Sequence, residues 1–248
     1  MASLMITRIP NLPPLKAVFG VARNELLPKY VSDLTARMVR ASGYFIVRND
    51  REHEECMPGP SMVNDKCPIA SVIRCRLGSI VRNGNDLMVI AMGLAVHEAY
   101  INTIIANNPG WAIQYNTYYQ TLIRHNEVEF TIGFSPDILL GYNGEWHLVE
   151  IKSSHPRPEH EAQLALYYYL LRDYYHIVRG WLVAYDAVVP YSTRDLEALA
   201  GQGLDYLYTV RRVLDSWRDD KPGFIVRGRC PCKYAPACPV WTGIVAYA

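Results

Sequence analysis

Apolar positions recur at helical spacing in the first third of the chain and again after residue 157. Behind Pro28, the apolar side chains of Tyr30, Leu34 and Met38 lie four residues apart, which predicts a helix over residues 28–39. Similar patterns with terminating Asn, Gly or Pro residues predict four more helices. These cover residues 68–81, 86–106, 158–175 and 193–217. Residues 1–20 are predicted to be an extended arm, and residues 49–67 a loop.

The middle of the chain has the composition of strands, rich in Tyr, Thr, Ile and Val. Strands are predicted over residues 111–125, 127–131, 137–141, 145–152 and near 180–188. Asn143-Gly144 lies between two apolar runs and predicts a hairpin. The order of helix, strands, helix, strand and helix predicts an α/β protein, with a central mixed sheet flanked by helices.

Charge and hydropathy narrow the classes of function. Lys and Arg number 25 against 24 acidic residues, so the net charge is +1 and any nucleic-acid contact must come from a local patch. The best candidate patch is Arg211, Arg212, Arg218, Arg227, Arg229 and Lys233. The longest apolar run, residues 87–96, is too short to cross a bilayer, and early prolines argue against a signal peptide. We therefore expect a soluble, cytoplasmic protein without membrane contact.

Two carboxylates and a lysine are predicted to converge on neighbouring strands. Strand alternation places Glu150 and Lys152 on one face, and Asp137 begins the adjacent strand of the hairpin. Paired carboxylates form a hard oxygen site suited to Mg²⁺ or Mn²⁺. A neighbouring Lys can orient water or stabilise developing phosphate charge. An ordinary surface Glu–Lys pair would give the same pattern.

Helical residues on either side could join this site. Gly93 and His97 lie one turn apart, and Gln163 and Tyr167 share one stripe of the helix after the Glu150 strand. Taken alone, His97 fits an ordinary core histidine, and the second pair fits polar residues beside a Tyr-rich core stripe.

The six cysteines form two groups, Cys56, Cys67 and Cys75 near the start and Cys230, Cys232 and Cys238 near the end. In an intracellular chain such clusters favour metal binding, although disulfides are the alternative in a hyperthermophile cytosol.

Together these motifs resemble the PD-(D/E)XK nuclease superfamily. The matching segments are Pro136-Asp137, Glu150-Ile151-Lys152 and Gln163 to Tyr167. Gly93-x-x-x-His97-Glu98 and the Q-x-x-x-Y element are typical of its RecB-like branch. A Cys ahead of the His helix and the C-terminal trio resemble the iron-sulfur members of that branch, which include the CRISPR-associated protein four family. The resemblance covers about residues 65–240.

The resemblance implies a role for each matching residue. A divalent Mn²⁺ or Mg²⁺ would be bound by His97, Asp137, Glu150 and the backbone carbonyl of Ile151. Lys152 would be the catalytic lysine, and Gln163 and Tyr167 would support it and the DNA strand. An iron-sulfur cluster, with four irons favoured over two, would be held by Cys230, Cys232, Cys238 and Cys75, or Cys67 in place of Cys75. Cys56 is interpreted as a bystander. Only Pro231 separates Cys230 from Cys232, where the family usually has two residues.

These roles imply a metal-dependent DNA exonuclease acting on single-stranded ends, in the processing of new CRISPR spacers. Its partners would be DNA and CRISPR integrase proteins, in a chain that could form oligomers. The alternatives are the nuclease component of a helicase–nuclease repair system and a non-catalytic DNA-end-binding subunit of an integration complex. The predicted organisation is an N-terminal arm, helix and loop (1–66), a RecB-like nuclease core (67–229) and a Cys-containing tail packing on the N-terminal helices (230–248).

Overall fold

The computed structural model describes residues 8–41, 43–48, 56–65 and 67–217, together with Tyr234 and Cys238. Its centre is a five-stranded mixed sheet of β4 (Ala112–Tyr115), β7 (Ile138–Tyr142), β8 (Glu145–Ile151), β9 (Ile177–Val183) and β10 (Val188–Ser192). These strands lie in the order β10-β9-β8-β7-β4. Strands β8 and β9 are parallel, and the other neighbours are antiparallel. Helices flank the sheet, so the predicted α/β class is confirmed.

Helices cover both faces of this sheet, because its central strands are apolar on both sides. On one face, α4 (Gly84–Asn107) packs against Ile138, Val149 and Ile151. On the other, α5 (Pro158–Leu171) and α6 (Thr193–Ser216) pack against Leu139 and Leu148. Leu139 and Leu148 alternate with the residues of the first face along β7 and β8, as the pleat requires.

The sequence patterns predict where α5 and α6 begin, but they place the end of α5 too late. Helix α6 begins at a capping box, in which Ser192 and Asp195 bond each other's backbone N–H groups. Helix α5 begins at Pro158, as predicted, but ends at Leu171 instead of continuing to residue 175. The strand predicted near residues 180–188 is two strands, because β9 ends at Val183 and β10 returns antiparallel from Val188.

The N-terminal part contains the helix predicted over residues 28–39, which is present as Leu27–Ala36, and also short helical turns and a second sheet that the sequence patterns missed. A 3₁₀ turn (Leu15–Ala17), α1 (Phe19–Val21), a π-helical turn (Ala22–Leu26) and α2 (Leu27–Ala36) precede an antiparallel sheet. Its strands are β1 (Met38–Ala41), β2 (Tyr44–Val47) and β3 (Ser79–Val81). Strands of three or four residues carry too few positions for a period to be recognised. The arm predicted over residues 1–20 is wrong from Leu15 onward.

Glycine geometry explains why the helix predicted over residues 68–81 stops early. Helix α3 (Pro68–Leu77) ends before Gly78, whose φ is +104°. A Cβ at Gly78 would lie 2.4 Å from the carbonyl oxygen of Val47, so β2 approaches too closely for any side chain here. Residues 79–81 therefore pair with β2 as β3 instead of continuing the helix.

The long strand predicted over residues 111–125 is divided between two sheets. Asn116 has a φ of +54°, which ends β4 and redirects the chain into β5 (Tyr119–His125). Strand β5 forms a separate two-stranded ribbon with β6 (Val128–Phe134). The Asn143-Gly144 hairpin is confirmed, since both residues have positive φ and join antiparallel β7 and β8.

Helix α4 is long and apolar enough to cross a membrane, as judged by length and composition alone. It buries Ala91, Ala95, Val96 and Tyr100 against the protein interior. The loop predicted over residues 49–67 contains a 3₁₀ helix, Pro60–Asp65, in its described part.

One buried histidine in the sheet has a pKa far from that of free histidine. His147 on β8 is 2% exposed, and its Nδ1 accepts a hydrogen bond from Trp181 Nε1 at 3.0 Å. Burial, followed by the positive charge of Arg179, lowers the pKa of His147 to about 4. Protonation would remove the acceptor and place a charge in the core.

Acid should therefore destabilise the fold through His147. Its folded pKa lies below the unfolded value of about 6.5, so the unfolded chain binds the extra proton between these values. We expect the free energy of unfolding to fall by up to about 3 kcal/mol as pH drops from 6.5 to 4. His147→Asn keeps an acceptor that does not titrate and should remove this part of the pH dependence. The control is His155→Asn, at an exposed histidine. The unfolding free energy of each variant is measured by denaturant titration at several pH values, and the same pH dependence in both variants would contradict the assignment.

Candidate functional site

The acidic pair lies where β7 and β8 run side by side. Ile138 pairs with Val149, so Asp137, one residue earlier, lies opposite Glu150. Asp137 Oδ2 accepts a hydrogen bond from the backbone N–H of Ile151 at 2.7 Å, which fixes the carboxylate against the end of β8. The predicted juxtaposition of Asp137 and Glu150 is therefore present, and hairpin register creates it.

Glu150 is fully buried on the central strand. Neither of its oxygens has a hydrogen-bond partner of good geometry among the described residues. Burial, followed by the nearby Asp137 carboxylate, raises the pKa of Glu150, and this outweighs the lowering by Lys152. Two carboxylates in this environment repel each other, so the site favours a proton or a cation.

Lys152 supplies one compensating charge, as strand alternation predicted. Its Nζ lies 2.5 Å from Glu150 Oε1, and its side chain is 19% exposed. Burial alone would lower the pKa of Lys152, but Glu150 and Asp137 outweigh it and raise the pKa. The ammonium group therefore stays charged next to the acidic pair.

His97 approaches the pair from α4 on the opposite side. Its Nδ1 is 3.6 Å from Asp137 Oδ1. Both residues line a cleft of about 390 Å³ that continues past Glu98, Tyr30 and Tyr115. Tyr30 donates a hydrogen bond to Glu98, so helix α2 forms one wall of the cleft. The predicted placement of His97 beside Asp137 is therefore present in the structure.

Gln163 and Tyr167 face the same centre from α5. Gln163 Nε2 donates to Tyr167 Oη at 3.0 Å, and both side chains are buried. Burial, followed by the negative charges of Glu150 and Asp137, raises the pKa of Tyr167, which places its hydroxyl within the field of the acidic pair. The five residues predicted around Lys152 thus converge from two strands and two helices.

Two polar residues near this centre were missed by sequence reasoning. Asn64 Nδ2 donates to Gln163 Oε1 at 2.6 Å. Arg74 on α3 is held by Asp65 at 3.0 Å and contributes positive charge that lowers the pKa of Tyr167. Both lie in segments without a recognisable motif, and only their position in the fold relates them to the site.

A divalent cation fits the donor set, although within the described ranges no three His, Cys, Asp or Glu side chains form a preassembled metal site. The fit rests on Glu150, whose buried Oε2 has no hydrogen-bond partner among the described residues and whose Oε1 contacts Lys152, beside a second carboxylate. Carboxylate oxygens are the ligands that Mg²⁺ and Mn²⁺ prefer. A cation would neutralise the repulsion between Glu150 and Asp137.

The cysteines are only partly described. Cys75 forms a disulfide with Cys56, with their Cα atoms 5.7 Å apart. Interpreting Cys56 as a bystander was therefore wrong, because the fold brings its loop against the end of α3. Cys67 is a free thiol, and Cys67 and Cys238 both contact the same apolar core. Cys75, the favoured N-terminal ligand, offers no thiolate while it is disulfide-bonded, so the structure favours the alternative Cys67. Cys230 and Cys232 lie outside the described residues.

The proposed basic patch is weaker than its sequence suggests. Arg211 forms two contacts with Asp215, at 3.0 and 2.7 Å, which neutralise its charge locally. Arg212 lies over the ring of Tyr208. The other members, Arg218, Arg227, Arg229 and Lys233, lie outside the described residues.

Comparison with known proteins adds little to this geometry. No family model matches the chain, and no curated protein matches it. Among solved structures, one described as "Crystal structure of SSO0001" is similar at 16% identity with a TM-score of 0.42. That similarity covers 73% of this chain and 84% of the other chain. A likeness of this size supports no argument about function.

Proposed function

We propose that this chain is a metal-dependent DNA exonuclease with a RecB-like PD-(D/E)XK core, acting on single-stranded ends. The observation that carries the proposal is the buried Glu150 carboxylate, opposed by Asp137 and contacted by Lys152. The motif resemblance assigns the same three residues to phosphodiester hydrolysis. In this proposal the protein works in the cytoplasm, in the processing of CRISPR spacers alongside integrase proteins.

The residues of the site have separate tasks in this proposal. Asp137 and Glu150, with His97 and the Ile151 carbonyl, would hold a Mn²⁺ or Mg²⁺ ion, which lowers the pKa of bound water and neutralises phosphate charge. Lys152 places a permanent positive charge where negative charge develops on the phosphate. The adjoining cleft exposes Tyr115, whose ring offers a stacking surface for an unpaired base.

The first test removes the acidic pair. Asp137→Ala and Glu150→Gln should each lower cleavage of end-labelled single-stranded DNA in Mn²⁺ by more than about 100-fold, because loss of an outer-shell partner alone costs 10–100-fold. DNA binding should change little, since neither carboxylate attracts phosphate. Glu145→Gln, at the opposite end of the same strand, is the matched control and should retain activity.

Its outcomes separate the candidate functions. A Glu150→Gln variant as active as the wild type would contradict the assigned site. A wild-type protein that binds DNA ends without cutting them in Mn²⁺ or Mg²⁺ would support the non-catalytic end-binding alternative instead.

The second test separates charge stabilisation from metal binding. Lys152→Ala should abolish cleavage but retain Mn²⁺ binding measured by calorimetry, because the ammonium group cannot ligate a metal. Lys16→Ala, at an exposed position, should behave as the wild type. If Lys152→Ala loses Mn²⁺ affinity while Lys16→Ala keeps it, Lys152 acts by positioning the acidic pair and not by stabilising charge on the phosphate.

The third test concerns an iron-sulfur cluster, which we propose is held by Cys230, Cys232, Cys238 and one N-terminal cysteine. The Cys56–Cys75 bond leaves Cys67 as the free thiol in the core that Cys238 also contacts. Thiolates select soft metals, whereas the carboxylate site selects hard ones, so both can be held by one chain.

We expect anaerobically purified protein to be brown and to contain iron and sulfide. Cys232→Ser and Cys67→Ser should lose the colour and lower the melting temperature, and Cys56→Ser should keep the colour. Stoichiometric zinc without iron would contradict the cluster. If Cys75→Ser loses the colour and Cys67→Ser keeps it, the fourth ligand is Cys75 and not Cys67.

A further inference from the structure

A chain of side-chain hydrogen bonds connects the 3₁₀ helix Pro60–Asp65 to the candidate site. The Ser61 carbonyl accepts a bond from Asn64 Nδ2 at 3.0 Å. The same Nδ2 donates to Gln163 Oε1 at 2.6 Å, and Gln163 Nε2 donates to Tyr167 Oη at 3.0 Å. The relay therefore runs from a backbone carbonyl to a tyrosine beside the acidic pair.

Hydrogen-bond chemistry fixes the direction of every bond in this relay. A backbone carbonyl can only accept, so the Asn64 atom that faces Ser61 must be the amide nitrogen. That nitrogen has two hydrogens, and the second faces Gln163, which must present its oxygen. Gln163 then necessarily turns its own NH₂ group toward the oxygen of Tyr167.

The direction decides what the Tyr167 hydroxyl can do. Because its oxygen accepts from Gln163, its own proton is not used in the relay. Within the described part of the chain, this is the single hydrogen bond that the hydroxyl makes. Were the Gln163 amide reversed, its oxygen would take the Tyr167 proton. The orientation of Asn64 thus determines whether that proton is available to the site.

We propose that Asn64 is a positioning residue of the active site, which orients the Gln163 amide so that Tyr167 offers its proton toward the acidic pair and its bound substrate. This inference rests on the proposed nuclease function. It concerns a residue that precedes the segments resembling the nuclease family. Asn64 touches neither metal nor DNA in this role and acts through Gln163.

Asn64→Asp tests the direction of the relay. An ionised Asp can only accept, so Gln163 would turn its NH₂ group to residue 64 and its oxygen to Tyr167, which would then donate its proton to Gln163. Tyr167→Phe removes the same proton outright. We expect each variant to lower kcat on end-labelled single-stranded DNA by about 10–100-fold with little change in KM, as for other outer-shell losses. The double variant should be no slower than Tyr167→Phe.

The control is Asn83→Asp, the same chemical change at the N-cap of α4, where an Asp still accepts the capping bond. It should retain wild-type kcat. Asn64→Ala, which leaves the amide of Gln163 unanchored, should give a smaller loss of kcat than Asn64→Asp. Unchanged kcat in Asn64→Asp, or a double variant whose losses multiply, would overturn the proposal while the nuclease function stands.

A second measurement does not depend on cleavage. Asn64→Ala and Gln163→Ala each remove the hydrogen bond between these two side chains as well as one bond that the other variant keeps, so the double variant should lose less melting temperature than the sum of the two single losses. Additive losses would show that the two side chains do not form the relay. A wild-type protein that cuts no DNA would refute the proposed function. In that case the melting temperatures would still test whether the hydrogen-bond relay exists.

Discussion

The candidate site depends on one constraint, a carboxylate placed in the middle of a sheet. Glu150 is fully buried on β8, between β7 and β9. An ionised carboxylate in such a position is strongly unfavourable unless other groups compensate its charge. Lys152 provides one positive charge, and the facing Asp137 adds a negative one that leaves the cluster short of positive charge. The arrangement is costly for stability and suited to binding a cation.

The surrounding elements can be understood as supports of that cluster. The antiparallel hairpin sets Asp137 opposite Glu150, and the parallel pairing of β8 with β9 covers the other edge. The backbone of Lys152 donates to Val183 at 2.8 Å, which carries the lysine beyond the last residue of β8 in an extended conformation. Helices α4 and α5 then bring His97 and Tyr167 from opposite faces. A near-neutral chain thereby concentrates unlike charges at one point, where they act at short range.

Local sequence patterns predicted the parts of this arrangement that local rules determine. Strand alternation predicted that Glu150 and Lys152 share a face, and Asn143-Gly144 predicted the hairpin that aligns Asp137. The three-stranded N-terminal sheet was missed because its strands are short, and because Gly78 ends α3 for a tertiary reason, the close approach of Val47. Asn64 was missed for a similar reason. It is an isolated polar residue in a short 3₁₀ helix, and its partner lies 99 positions away, so no local pattern indicates the contact.

The N-terminal segment participates in the site more than its lack of motifs suggests. Tyr30 donates to Glu98, and burial together with that carboxylate raises the pKa of Tyr30 to about 12. Asn64 makes the corresponding contact on the other side of the sheet, to Gln163. Each contact holds a residue next to, or within, a motif that faces the acidic pair. The described residues before Cys67 therefore orient side chains beside the acidic pair, which in the proposed function is the source of the reactive groups.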